Sequence, residues 1–152
     1  MGKFIRKGKG SGTESVWNRC LTLSPFGGIL NLAGTMAVCN CNISGNSATS
    51  DFGSGTGGGI SNDGTLTVRD SIISGNFATK EGNGFFNDGR LTVRNSILFG
   101  NYADQVGGGI ANLGTLTLKG STLLGNDALL DRDLYNGGVL SLYDSIIGDL
   151  FP

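Results

Sequence analysis

Asparagine recurs along this chain at nearly constant intervals, and that recurrence restricts the fold more than any other feature. One series, Asn46, Asn76, Asn101 and Asn126, each preceded by glycine, advances in steps of 30, 25 and 25 residues. A second, Asn31, Asn62, Asn87, Asn112 and Asn136, advances in steps of 31, 25, 25 and 24. Both long steps cross Thr49 to Thr56, where Asp51-Phe-Gly-Ser-Gly-Thr reads as one insertion in one loop. Aligned on these anchors, Gly59-Ile-Ser-Asn-Asp-Gly-Thr-Leu-Thr-Val-Arg-Asp-Ser-Ile-Ile-Ser-Gly-Asn-Phe-Ala78 returns from Gly84 to Ala103 and from Gly109 to Ala128. A weaker copy precedes them from Gly28 to Ala48, and a shortened one follows from Leu134 to Asp149. Such a period marks a solenoid, in which each copy is one coil.

Within the unit, hydrophobicity alternates with period two, as in a strand buried on one face. Leu66/Val68, Leu91/Val93, Leu116/Leu118 and Leu140/Leu142 fall on one side, Thr65/Thr67, Arg90/Thr92, Thr115/Thr117 and Val139/Ser141 on the other. Ile43, Ile73, Leu98, Leu123 and Ile147 form a second apolar column, and Ile29, Ile60, Phe85, Ile110 and Leu134 a third. A lone coil cannot bury its inner face, but stacking at ~4.8 Å per rung joins each column into a core stripe. The prediction is an all-β, single-stranded right-handed parallel β-helix of about five rungs, with three short strands per turn. The copies run in one direction with long returns, which disfavours antiparallel hairpins. At the bends, Asn tolerates left-handed backbone and can bond the same amide one rung away, so both Asn series are read as structural ladders. Ala48, Ala78, Ala103 and Ala128 suit a crowded corner.

Composition removes several function classes. The 28 glycines lack a collagen period, and the 38% hydrophobic residues recur in order, unlike a flexible Gly/Ser chain. A net charge of -1 gives no basic footprint for nucleic acid. The chain has no histidine, hence no Ser-His or Cys-His dyad and no imidazole metal ligand. Apolar runs are far too short for a membrane span of ~20 residues. The start, Met1-Gly-Lys-Phe-Ile-Arg-Lys-Gly-Lys-Gly, is basic but lacks the apolar stretch of a signal peptide. Residues 1–14 are therefore expected to be a flexible basic arm, 15–149 the β-helix and 150–152 a tail.

The outward column Arg69, Arg94 and Lys119 is the one plausible ligand-binding feature, flanked by Thr67, Thr92 and Thr117. Like charges one rung apart repel, so they invite loop acids or a polyanion. Asp63 and Asp88 align on adjacent rungs, yet Ala33 and Leu113 interrupt the column, and two carboxylates fall short of a calcium site. They read as exposed turn acids. The threonine rows resemble an ice-binding face, but Arg90, Ala37 and Ser141 break them. Of the three cysteines, Cys41 shares a small inward column with Ser71, Ser96, Ser121 and Ser145. A free buried thiol is expected there, a Cys20–Cys41 disulfide being the alternative. Cys39 aligns with Arg69 and is expected to be exposed.

The pattern Gly-Gly-Gly-Ile-x-Asn-x-Gly-Thr-Leu-Thr-Val/Leu followed by Ser-x-Ile/Leu-x-Gly-Asn-x-Ala, clearest at 57–78 and 107–128, resembles the β-helix repeats of large bacterial surface and secreted proteins. Among these are chains with a CSLREA-type or choice-of-anchor domain and, more distantly, polymorphic outer membrane proteins. The resemblance covers about 27–149, although the CSLREA block and the Phe-x-x-Asn tetrapeptide of the polymorphic family are absent. It implies a pectin-lyase-like solenoid, extracellular or on the cell surface, without catalysis or cofactor, acting as an adhesin-like scaffold or spacer for polysaccharide or a cell-surface ligand. A carbohydrate-active β-helix that binds or cleaves acidic polysaccharide is the alternative. Uncapped coil ends predict end-to-end self-association.

Overall fold

The computed structural model describes residues 27–49 and 55–148, together with the backbone of three strands, Ile5–Arg6, Ser15–Asn18 and Leu21–Thr22. The fold is all-β, and every paired strand is parallel to its neighbour one repeat away. Four sheets result. Sheet A stacks Ile5–Arg6, Ile29–Asn31, Ile60–Asn62, Phe85–Asn87, Ile110–Asn112 and Leu134–Asn136. Sheet B stacks Ser15–Asn18, Thr35–Cys39, Thr65–Arg69, Arg90–Arg94, Thr115–Lys119 and Val139–Tyr143. Sheet C stacks Leu21–Thr22, Asn42–Ser44, Ile72–Ser74, Ile97–Phe99, Thr122–Leu123 and Ile146–Ile147. Sheet D holds only Ser47–Ala48, Phe77–Ala78, Tyr102–Val106 and Asp127–Leu130.

The expected parallel solenoid is therefore present, with two refinements. Each complete coil has four strands, not three, and four coils are complete. Further strands flank them in sheets A, B and C at both ends. The fourth strand escapes the periodicity because it is short, two residues in Ser47–Ala48 and Phe77–Ala78.

The register also corrects the single-insertion reading of the long first step. Asn31 pairs with Asn62, but Thr35 pairs with Thr65, so Leu32-Ala33-Gly34 contains one residue more than Asp63-Gly64. The insertion at 49–56 accounts for the other five. The short last step has its own cause. Tyr102 and Ala103 pair with Asp127 and Ala128, then Val106 pairs with Leu130, a bulge that drops one residue.

The core is built as the alternation requires. Ile43, Ile60, Leu66, Val68, Ile73, Phe85, Leu91, Val93, Leu98, Ile110, Leu116, Leu118 and Leu123 are fully buried in one continuous cluster. Leu140 and Ile147 on the last coil pack against it while remaining partly exposed. A fully buried side chain of this size contributes roughly 1.5–3 kcal/mol, so the stacked columns are the main source of stability.

Both asparagine series form ladders, but neither adopts left-handed backbone. In the first, Asn31 Nδ2 donates to Asn62 Oδ1, and the link repeats through Asn87 and Asn112 to Asn136, each at 2.7 Å. In the second, Asn46, Asn76 and Asn101 donate in turn to Asn76, Asn101 and Asn126 at 2.8, 2.9 and 2.7 Å. The positive φ angles fall at other residues, among them Gly45, Gly75, Gly100 and Gly125 immediately before the second ladder, and Asn40, Asp70, Asn95, Gly120 and Asp144 between sheets B and C. Stacked amides need in-register backbone, so at the second ladder the bend is made one residue earlier, at glycine. At Gly75, Gly100 and Gly125 an added Cβ would meet nothing within 4 Å, so backbone angle alone favours glycine there.

The cysteines differ from expectation. Cys41 is disulfide-bonded, not a free thiol, and Cys20 lies outside the described residues. The main-chain N–H of Cys41 donates to Ser71 Oγ at 3.1 Å, confirming its place in the serine column. Cys39 pairs with Arg69 in register as aligned, yet it is buried and free. Its strand is paired on both sides, and its one-sulfur side chain is too short to project past its neighbours as the Arg69 guanidinium does.

Candidate functional site

The five-residue strands of sheet B are the longest repeated ones, which makes their outer side the broadest regular surface on the molecule. Pairing runs without a bulge from Thr65–Arg69 through Arg90–Arg94 to Thr115–Lys119. Arg69, Arg94 and Lys119 therefore sit directly beside one another, ~4.8 Å apart along the stack, and all are exposed. Thr67, Thr92 and Thr117 form the adjoining column and are half-buried. Tyr143 continues the cation column on the next coil. Arg90 stands at the opposite edge between Thr65 and Thr115, so the threonine row there is broken, as the sequence indicated.

The three cations are not equivalent. Arg69 Nη1 lies 3.0 Å from Asp70 Oδ2. The other ion pair among the described residues is Arg132 with Asp127, at 3.4 Å. Arg94 and Lys119 thus form no ion pair among the described residues. Their local corner explains this: the residue after Arg69 is Asp70, but the equivalent residues are Asn95 and Gly120. Asn95 Nδ2 donates instead to Asp70 Oδ1 at 3.3 Å. Two neighbouring cations on a flat, water-facing strip can attract an anion, and their mutual repulsion falls when one binds.

Asp63 and Asp88 lie at the turn leading into sheet B, both exposed. The Asp63 carboxyl is held above its ordinary range, chiefly by partial desolvation and secondarily by the charge of Asp88. These carboxylates occupy the opposite edge of sheet B from the cations, separated by the strand length of about 13 Å. Among the described residues no three His, Cys, Asp or Glu side chains gather where they could hold a metal.

One residue with a defined role was missed by sequence reasoning. Asp133 is buried and ends the second ladder: its Oδ1 accepts from Asn126 Nδ2 at 2.7 Å and from the Asn126 main-chain N–H at 3.0 Å. In earlier coils the equivalent positions are Gly59, Gly84 and Gly109. A Cβ on Gly59 or Gly109 would come within 3.1 and 3.0 Å of the ladder amides of Asn76 and Asn126, and within 2.6 Å or less of a carbonyl on the next coil. Glycine leaves that space to the ladder, and in the last coil the Asp133 side chain fills it. The available signal was the replacement of the repeat glycine by Asp in the final copy.

No family model, curated protein or solved structure matches the chain.

Proposed function

We propose that this chain is a non-catalytic β-helix module that serves as a binding scaffold, with the outer face of sheet B as its ligand face and an acidic polysaccharide as the ligand class. The observation that carries this reading is the register of Arg94 beside Lys119, two exposed cations without an ion-pair partner among the described residues. A polyanion lying along the stack would meet one cation per rung, with threonine hydroxyls beside them as neutral hydrogen-bonding groups. Cleavage would need an acid or base beside the cations. The carboxylate beside the cations, Asp70, is engaged by Arg69 at 3.0 Å and Asn95 at 3.3 Å, and Asp63 and Asp88 stand at the far edge of the strands, which favours binding over turnover. The resemblance of the repeat to bacterial surface and secreted proteins supports an exposed location, as an adhesin-like element or spacer.

The test is binding of polygalacturonate and alginate, with a neutral glucan as control, followed by a search for unsaturated products in the presence of calcium. Expected are salt-sensitive binding of the acidic polymers alone, a several-fold loss in Arg94→Ala, and no product. Product formation that Arg94→Ala abolishes would overturn the scaffold reading in favour of a carbohydrate-active enzyme.

A further inference from the structure

The cation column on sheet B does not end in a charge. Arg69, Arg94 and Lys119 are followed one rung on by Tyr143, the register partner of Lys119. The neighbouring column keeps its hydroxyls over the same distance, with Ser141 paired to Thr117. The last coil thus puts an aromatic ring in the place of a cation and leaves the hydroxyl beside it. Tyr143 is 55% exposed and stacks on no other ring among the described residues. Its main chain is anchored although its strand is the last in the sheet: its carbonyl accepts from the Gly120 N–H and from Ser145 Oγ, each at 2.9 Å.

The other described aromatic side chains stand elsewhere. Phe85 lies in the core, and Phe86 and Tyr135 are half-buried on sheet A. Phe77 and Tyr102 on sheet D face each other, with centroids 5.8 Å apart and planes at 7°. Phe99 is exposed, but on sheet C, away from the cations. Among the described side chains, Tyr143 is therefore the aromatic one that shares a face with Arg94 and Lys119.

We propose that Tyr143 is a sugar-stacking platform, which makes the sheet B strip selective for polyanions built of sugar rings. This inference rests on the acidic-polysaccharide reading above and narrows it. A column of cations reads charge alone, and accepts polyphosphate or an acidic peptide as readily as a polyuronate. A pyranose offers what those polymers lack. One face of its ring presents C–H bonds, a weakly positive apolar patch that packs on the negative face of a phenol ring. A polysaccharide whose acidic groups meet Arg94 and Lys119 carries its next unit ~4.8 Å further along the stack, over Tyr143. The Ser141 hydroxyl, in the adjoining column, is placed to exchange hydrogen bonds with that unit. The cations then set the salt-sensitive affinity, and the ring selects sugar.

The test compares polygalacturonate, polyphosphate and polyglutamate binding to the full chain and to four variants, each verified as folded by circular dichroism. Tyr143→Thr, which keeps strand propensity while removing the ring, is expected to weaken polygalacturonate roughly three- to tenfold and to leave the other two polymers unchanged. Tyr143→Phe retains full binding, because stacking needs the ring and not its hydroxyl. Arg94→Ala weakens all three polymers, and Phe99→Ala weakens none. Polygalacturonate binding that depends on Arg94 but ignores Tyr143→Thr overturns this inference and leaves the scaffold reading standing. An equal loss for all three polymers in Tyr143→Thr also overturns it, since the residue would then support the strand and not the sugar. Binding of none of them, or polygalacturonate binding indifferent to Arg94→Ala, overturns the polysaccharide reading and this inference with it.

Discussion

The two asparagine ladders use the same side chain at the same period, but they hold the backbone differently and they end differently. Along the corner between sheets C and D, the Oδ1 atoms of Asn76, Asn101 and Asn126 each accept twice from the coil before, once from Nδ2 and once from the main-chain N–H. Each Nδ2 of Asn76, Asn101 and Asn126 also reaches back to a carbonyl of the preceding coil, Ile43, Ile73 or Leu98. Along the corner between sheets A and B, Nδ2 donates to the next Oδ1 and to carbonyls of its own and the next coil, and among the described residues the Oδ1 atoms receive no main-chain N–H. Both arrangements tie each inner residue to the coils on either side, but only the first also holds a main-chain N–H of the coil before. The terminations differ in the same sense. The C–D ladder closes on the buried Asp133 carboxylate, an acceptor with no proton to pass onward when ionised. The A–B ladder stops at Asn136, which is exposed and donates to Gly138 of its own turn. Identical chemistry thus gives a sealed ladder at one corner and an extendable one at the other.

Substitutions can break this contrast in graded fashion. Asn101→Ala is expected to cost most, about 3–4 kcal/mol, since four buried hydrogen bonds go and the Asn76 main-chain N–H is orphaned. Asn87→Ala, which orphans no main-chain donor, is expected to cost about 2–3 kcal/mol. Chemical denaturation of the two variants measures the difference, and equal losses would show that the extra clamp carries no weight. Next comes the seal itself. Asp133→Ala leaves the Asn126 amides without their acceptor and should cost about 1–3 kcal/mol. Asp133→Asn keeps the oxygen and should recover most of that loss. Asn136→Ala, at the exposed end, should cost under about 1 kcal/mol.

The smallest effect concerns charge beside the A–B corner. Because the Asp63 carboxyl titrates above its ordinary range, the folded state binds that proton more tightly than the unfolded chain does. Its ionisation therefore lowers stability above the folded pKa, and the penalty fades as pH falls through it. Asp88→Asn, which removes the secondary cause, should raise stability by about 0.3 kcal/mol at neutral pH and by nothing in strong acid. Urea midpoints at the two pH values make the comparison. A gain that persists in acid would point to a cause other than repulsion.

Much of this molecule is written in its sequence because a solenoid repeats one local rule. The Asn spacing determined the coil, and the period-two alternation determined which side of sheet B faces the core. Coil-to-coil register then follows, since a one-residue slip would expose every apolar column. The Arg69, Arg94 and Lys119 column was legible for the same reason. What the repeat could not show lies where copies depart from it or where the relevant neighbour comes from another coil. The extra residue at Leu32–Gly34 and the bulge after Ala103 are invisible in averaged spacing. The Cys39 burial, the Asp133 seal and the pairing of Arg69 but not Arg94 each depend on what the adjacent coil and corner place around a side chain. Sequence alone determined the period, the core face and the order of the columns, because these arise from chain geometry along one strand. Only the stacked structure decided which polar groups are satisfied and which outer side chains stay exposed, because hydrogen bonding and exposure are fixed between coils.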